Sequence, residues 1–556
     1  MASPPPQPLE PIPDWREDEK PSMPGSPSTP RHAPATRLAY GLVSLLLGIT
    51  GGLGTALVTA NLPAIQGNLG LTPTQGAWLP AVYLMVNVSA NLLLVKFRQQ
   101  YGLKRFAEIG LSIYAALTLL HLLAHTYPMA LFVRAASGFT GAAVSSLAVL
   151  YMIQAFGKAR LPQGLILGIG ISQLATPLAW LLSSALLDLG EWNTLYLFES
   201  GLALCALAAV VVLKLPPGIR IRVFEPLDFL TFGLLSVGRA LVGAVLAQGR
   251  VQWWNTQTWI AWAAIGALVL ITVAVLIEHH RRLPLLQTRW LGSAATLRFA
   301  LGALTLRFIL SEQTYGAVGM LQTLGMGPDQ LQPLYAVMLL ALLGGMLTSA
   351  FTFSPKALLL QILAAIVMIG IGAFMDDDAT SLTRPHDLFV SQGLLSFASG
   401  LFLGPLLLMG IMRAIQNGPS FLVSFVVLFS ITQSLGGLAG PAVFGSFQIV
   451  REKFHSSQIN EHINPADPQV AARLQLQAQI YARTQTDAVL RQAQGSAQFA
   501  QIATREANVL AFNDVFRLIG LMAVVFLGWS LFHTVRLARQ ASAQPPAAAG
   551  APPAQA

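Results

Sequence analysis

The chain has 556 residues, of which 54% are hydrophobic and 10% charged, where a soluble domain carries about a quarter charged. That balance excludes a soluble globule, and at about 20 residues per crossing the apolar content suffices for roughly 12 to 15 transmembrane helices. The single cysteine, Cys205, excludes an internal disulfide framework and thiolate-built metal centres. The net charge of +9 is, in a polytopic chain, more simply a topological signal than a nucleic-acid footprint.

Residues 1–36 are proline-rich, with a charged stretch from Asp14 to Lys20 and no apolar core. This predicts a disordered tail and no cleaved signal peptide. Fourteen apolar runs follow, near 37–59, 75–97, 106–125, 128–154, 163–187, 193–214, 228–248, 258–278, 296–320, 332–353, 357–375, 388–413, 419–447 and 511–534. A second disordered tail is predicted over 536–556, from its alanine and proline content.

With the N-terminus placed in the cytoplasm, inner loops and span ends collect Lys96, Arg98, Lys104, Arg105, Lys158 and Arg160, and so on down to Arg536 and Arg539. The short outer loops hold only Arg250 and Arg384. Fourteen spans with both termini inside satisfy the positive-inside rule throughout. Aspartates 376–378 then fall outside. So does a long polar segment, 450–510, whose residues 469–505 are rich in alanine and glutamine after a break at Pro465 and Pro468. It reads as helical, either as a cap over the outer face or as a docking element for a periplasmic partner.

So many spans without a large soluble domain point to a transporter, with a membrane-embedded transferase as the alternative of another class. The nine histidines are scattered, and none is spaced like a metal-binding pair on an embedded helix. No metal or other cofactor is expected, no nucleic-acid partner is needed, and no repeated selectivity-filter sequence suggests a channel.

Several stretches carry a family likeness. Leu62-Pro63-Ala64-Ile65-Gln66-Gly67-Asn68-Leu69-Gly70 precedes Gln75-Gly76-Ala77-Trp78-Leu79. Further on come Phe132-Val133-Arg134-Ala135-Ala136-Ser137-Gly138, Glu278 with Leu283-Pro284-Leu285-Leu286, and Leu510-Ala511-Phe512-Asn513-Asp514-Val515-Phe516. In this order, from about Thr50 to Arg536, the chain resembles the EmrB/QacA-type drug:proton antiporter branch of the major facilitator superfamily. It departs from that pattern at Gly54, where the family often has an aspartate, and at Gln99, where it has an acid. The fifth-span motif departs too, with Trp180-Leu181 and Ser184-Ala185 replacing glycine-containing steps and Pro177 retained.

The resemblance implies an all-α fold of fourteen membrane helices arranged 6+2+6. Residues 37–214 would form one six-helix half, 215–295 a two-helix insertion, and 296–535 the second half with its periplasmic loop. It also implies a proton-coupled multidrug or toxic-compound exporter of the bacterial inner membrane, working by alternating access. A periplasmic adaptor and an outer-membrane channel are the implied partners. An exporter of anionic metabolites or aromatic acids is the alternative within the same class.

An ionisable side chain at mid-bilayer costs at least about 2.5 to 3.5 kcal/mol, so those that remain are functional candidates. The acids are Glu312, Glu199 and Asp514, in that order for proton coupling. The bases are Arg134, which matches the family arginine and for which the resemblance implies a role in proton coupling or helix packing, Arg307, suited to an anionic substrate group, and Arg239, assigned to a structural or lipid-facing snorkelling role on an extra span. Arg307 and Glu312 are five residues apart, about 140° around a helix, and should not pair on one face. Trp78, Tyr83, Gln173, Gln392 and Gln433 are candidate cavity-lining residues. Gly436, Gly437, Gly440 and Pro441 are candidates for gating.

Overall fold

Proline in the first turn and glycine just past the end delimit many of the helices. Helix α1 (Pro34–Ala60) opens on a proline. Helix α2 (Pro73–Tyr101) starts from a capping box between Thr72 and Gln75 and stops at Gly102, where φ is +85° and any side chain would be strained. The structure is a computed structural model describing residues 8–11, 13–188, 193–281, 284–418, 421–464 and 466–543. Among these residues the regular secondary structure is helical, apart from an isolated antiparallel bridge between Pro8 and Ile221.

After α2 come α3 (Leu103–His121), α4 (Tyr127–Phe156), α5 (Lys158–Leu187, with a 3-10 turn at Ser172–Leu174), α6 (Asn193–Val212), α7 (Pro226–Gly249) and α8 (Thr258–His280). The second part of the chain forms α9 (Ala294–Thr323), α10 (Pro328–Phe351), α11 (Ala357–Met375), α12 (Phe389–Asn417), α13 (Phe421–Glu461), α14 (Pro468–Ile480) and α15 (Ala488–Ala543). Among the described residues, thirteen helices are long and apolar enough to cross a membrane. The expected fourteenth span is α3, which falls short because Lys104, Arg105 and Glu108 sit in its 19 residues. Helix α3 nevertheless packs lengthwise between α4 and α6.

The first six helices and the last six touch near both ends of the bundle. Trp180 of α5 stacks on Tyr335 of α10 with ring centroids 4.8 Å apart, and Gln332 donates to the Ser184 hydroxyl beside them. Towards the other end, Ile166 of α5 lies against Gly404 of α12. The pair α7–α8 packs from the side on α2, with Trp78 facing Trp259 at 6.0 Å and Met85 against Gly243.

Two segments differ from the sequence expectation. The first is the proline-rich tail, whose described part is docked and not disordered. Ser26, Ser28 and Thr29 are buried. The Gln154 amide donates to the Ser28 carbonyl at 2.9 Å, the Gln99 amide to Pro24 at 3.3 Å, and Lys158 to the Glu17 carbonyl at 2.5 Å. Met23 packs against the apolar cluster of α9, α11, α12, α13 and α15, so the tail straps the first half to the second. Composition signals disorder because few apolar residues are present, but side-chain amides on α2 and α4 satisfy the strap's backbone instead.

Removing residues 1–32 should uncover that end of the bundle. In a Cys205→Ser background, a cysteine at position 99 should react with a water-soluble maleimide on the order of tenfold faster after the deletion. Equal rates would mean that the strap does not cover the site.

The second difference is 450–510. Helix α13 continues through Glu461, and α15 spans 56 residues, or roughly 84 Å at about 1.5 Å per residue. Helix α14 folds back on α15, with Ala478 against Gly495 and the Tyr481 hydroxyl donating to Gln498 at 3.3 Å. Most of this hairpin is exposed, including Leu476, Ile480, Val489 and Leu490, so it stands out from the bundle and does not cap it. Pro465 lies outside the described residues.

Candidate transport pathway and coupling site

In the first half, buried polar side chains converge on one turn of α1. Arg134 of α4, 1% exposed, donates from Nη1 to the Gly54 carbonyl at 2.5 Å, and its guanidinium lies 4.6 Å from the centre of the Tyr83 ring. Tyr83 is itself buried against Gly138 and Gly141. Glu199 of α6 meets the Tyr114 hydroxyl of α3 at 3.0 Å. A Cβ at Gly54 would come within 3.0 Å of Glu199 Oε1 and 2.7 Å of Tyr114 Oη. The glycine thus leaves room for an acid arriving from α6, at the position where the resembled family often carries one on the first span.

In the second half, Glu312 opens a π-helical turn, Glu312–Ala317, inside α9. Such turns break the regular ladder and recur at functional sites. Glu312 is fully buried. The Gln392 amide of α12 donates to Glu312 Oε1 at 2.9 Å and to Asp376 Oδ2 at 2.8 Å. The same amide nitrogen therefore brings the two carboxyls together in one buried site, where two ionised carboxylates repel. Burial pushes Asp376, at the end of α11, up to about 6. Glu312 Oε2 and Gln392 Oε1 are buried without a partner.

The remaining candidates scatter. Arg307 makes no ion pair with Glu312. Its side chain lies against Gly436 and Gly437 of α13, while Ser311 fills the space at Gly440. The glycine cluster therefore forms a close packing groove between α9 and α13, and Pro441 follows it within α13. Asp514 pairs with Arg451 at 2.6 Å and His455 at 2.7 Å, joining α15 to α13 instead of facing Glu312. Trp78 packs towards α8. Gln173, in the 3-10 turn of α5, and Gln433 are half-buried, and the Gln433 amide nitrogen lacks a partner. Arg239 is half-buried on α7.

Sequence reasoning passed over Asp376 and Tyr114. The aspartate sits in a run of three that reads as loop, and its neighbour Asp377 does pair outward with Arg517 at 2.9 Å. Tyr114 is one aromatic in an apolar span. The only signal pointing towards it was the missing acid at Gly54.

Residues 44–450 match the Major Facilitator Superfamily. The chain belongs to this superfamily. It is 21% identical over 500 residues to the multidrug export protein EmrB of Haemophilus influenzae, covering 87% of this chain and 94% of that protein. It is 26% identical over 219 residues to the uncharacterized transporter YebQ of Escherichia coli K12, covering 38% of this chain and about half of that relative, 47%. Among solved structures, PepTSo2 superposes with a TM-score of 0.53 at 13% identity, covering 91% of this chain and 99% of that one. The proton:xylose symporter XylE gives 0.51 at 12%, covering 89% and 96%. These structures show the shared fold. The major facilitator chain described here is thus a multi-pass membrane transporter of small molecules, and family and fold point away from the transferase alternative.

Proposed function

We propose that this transporter is a proton-coupled exporter of hydrophobic or amphipathic toxic compounds in the bacterial inner membrane, on the EmrB/QacA branch. The observation that carries the coupling is the carboxyl pair Glu312–Asp376, buried and bridged by Gln392. A carboxyl pair that holds one proton while occluded and releases it when opened to water is what a proton-driven cycle requires. The likeness to EmrB, over nearly the whole of both chains, supports export and a multidrug range.

In this reading α3 is the fourteenth span. The strapped end of the bundle is cytoplasmic and carries both termini, and the halves 37–214 and 296–535 rock about the contacts between α5 and α10. The exposed hairpin of α14 and α15 is periplasmic and available to an adaptor that leads to an outer-membrane channel. Arg134 holds α1 in register for the rocking motion. Trp78, Tyr83, Gln173, Gln392 and Gln433 contribute to the pathway or its walls, and the glycine groove Gly436–Gly440 with Pro441 lets α9 slide on α13.

A second reading, export of anionic metabolites or aromatic acids, is favoured by one observation. Arg307 has no hydrogen bond or ion pair among the described residues. Reconstituted protein under an imposed pH gradient, screened with hydrophobic cations, neutral amphipaths and aromatic carboxylates, tests both. The exporter reading expects gradient-driven uptake of the first two classes into inside-out vesicles, and it fails if no class responds to the gradient. If aromatic carboxylates move instead, Arg307→Gln should raise their KM about tenfold or more, since one charge-assisted hydrogen bond is worth about 1.5 to 3 kcal/mol. An unchanged KM would remove Arg307 from the site.

A further inference from the structure

We infer that Glu199 is a second proton site and that Tyr114 is the positioning residue through which its charge state acts on the backbone of α1. This rests on the proton-coupled reading above and adds a site in the opposite half of the molecule.

Tyr114 Oη lies 3.0 Å from Glu199 Oε1 and 3.2 Å from the Thr50 carbonyl, and both side chains are buried. A phenol has one proton to donate, yet two acceptors face it. If Glu199 is ionised, Tyr114 must donate to the carboxylate, and the Thr50 carbonyl loses its second partner. If Glu199 is neutral, its own O–H donates to Tyr114 Oη, and the tyrosine proton turns to Thr50. Only the neutral form satisfies both contacts at once. Gain or loss of the proton on α6 therefore makes or breaks a hydrogen bond to α1.

The surroundings suit such a switch. Arg134 is the charged group that faces the pocket from α4, and it is anchored to the Gly54 carbonyl instead of to the carboxylate. Tyr83 faces the pocket from α2. One turn earlier on α6, Tyr196 stacks on His121 of α3 with ring centroids 4.6 Å apart. A charged carboxylate is thus held near a guanidinium without being locked in an ion pair, which would resist titration.

Thr50 and Gly54, four residues apart, mark the two ends of one helical turn, gripped at one end by Tyr114 and at the other by Arg134. Leu53 and Leu57 of the same helix belong to the apolar cluster containing Val318 and Leu321 of α9, just past the π-turn of Glu312. A shift of α1 on protonation is therefore felt at the contact between the halves, next to the first proton site.

The test uses full-length protein in proteoliposomes with a substrate found by the screen above. Glu199→Gln should lower the ratio of protons moved to substrate moved, read from the reversal potential, by about one proton per substrate. Tyr114→Phe, which keeps the ring and removes only the hydroxyl, should leave KM within about twofold and displace the midpoint of the pH–rate profile by at least about half a unit. Tyr114→His, which restores a donor, should return part of that displacement.

If wild-type protein moves no protons, the exporter reading itself fails. If wild type is coupled and Glu199→Gln moves the same number of protons, the second site is overturned and the coupling reading stands. A wild-type pH profile for Tyr114→Phe overturns the role of the tyrosine. Should that variant not fold, the stoichiometry of Glu199→Gln decides the site, and the pH profile of Tyr114→His decides the tyrosine.

Discussion

Glu312→Gln will abolish substrate-driven proton release in proteoliposomes while leaving substrate binding within a few-fold of wild type. The amide is nearly isosteric and can still bond to Gln392, so the π-turn and its packing survive. It cannot give up a proton, and without that step the carrier exchanges substrate but does not couple to the gradient. Asp376→Asn should produce the same defect, because Asp376 and Glu312 share one buried site through Gln392 and the titration of such close neighbours belongs to the pair.

The pH dependence has a definite sign. Burial raises Asp376 to about 6 from an ordinary value of 3.8, so the folded state favours the protonated form. The stability this confers is complete below about pH 4 and is lost as pH rises through about 6. Wild-type thermal stability in detergent should therefore fall across that window, and Asp376→Asn should flatten the fall. A wild-type slope retained in Asp376→Asn, or pH-driven transport retained in Glu312→Gln, would remove the pair from the coupling mechanism.

The contrast between Asp376 and Glu312 shows what a linear sequence can reveal. An acid sixteen residues into an apolar run stands out, because the bilayer penalises it wherever the helix points, and Glu312 and Glu199 were legible for that reason. Asp376 was not, since three aspartates in a row mark a solvated turn unless the fold brings a neighbouring helix over one of them. Here α12 begins close enough for Gln392 to reach both carboxyls, and only Asp376 is covered, while Asp377 and Asp378 turn outward to Arg517.

Thirteen spans were legible as apolar runs, and the run at 106–125, which is α3, was read in the same way, with the alternation of charged loops as its test. The docking of Met23 and Ser28 was hidden, because a strap held by side-chain amides on other helices leaves no periodicity of its own. The motif Glu278…Leu285-Leu286 was recognised by resemblance, and the structure supplies its reason. The Glu278 carboxylate accepts the backbone N–H groups of Leu285 and Leu286 and so turns the chain out of α8. Leu283 lies outside the described residues.

Glu278 also belongs to the charge cluster that underlies the largest expected loss of stability. Asp228, in the first turn of α7, is fully buried. It meets Lys96 of α2 at 2.5 Å and Arg281 beyond α8 at 3.0 Å, and Arg281 in turn reaches Glu225 and Glu278 at 2.7 Å each. This network fastens the two-helix insertion to the first half. Asp228→Ala leaves Lys96 and Arg281 facing a vacated buried site, and breaking a buried pair from one side costs about 3 to 5 kcal/mol. Chemical denaturation in detergent should register that loss. The double change Lys96→Met with Asp228→Leu should recover most of it, because an apolar pair of similar volume avoids stranding the lysine, while Arg281 keeps Glu225 and Glu278. A single-variant loss under about 1 kcal/mol would place the cluster among the weak surface pairs and leave the insertion held by its apolar contacts, Met85 with Gly243 and Leu92 with Leu235.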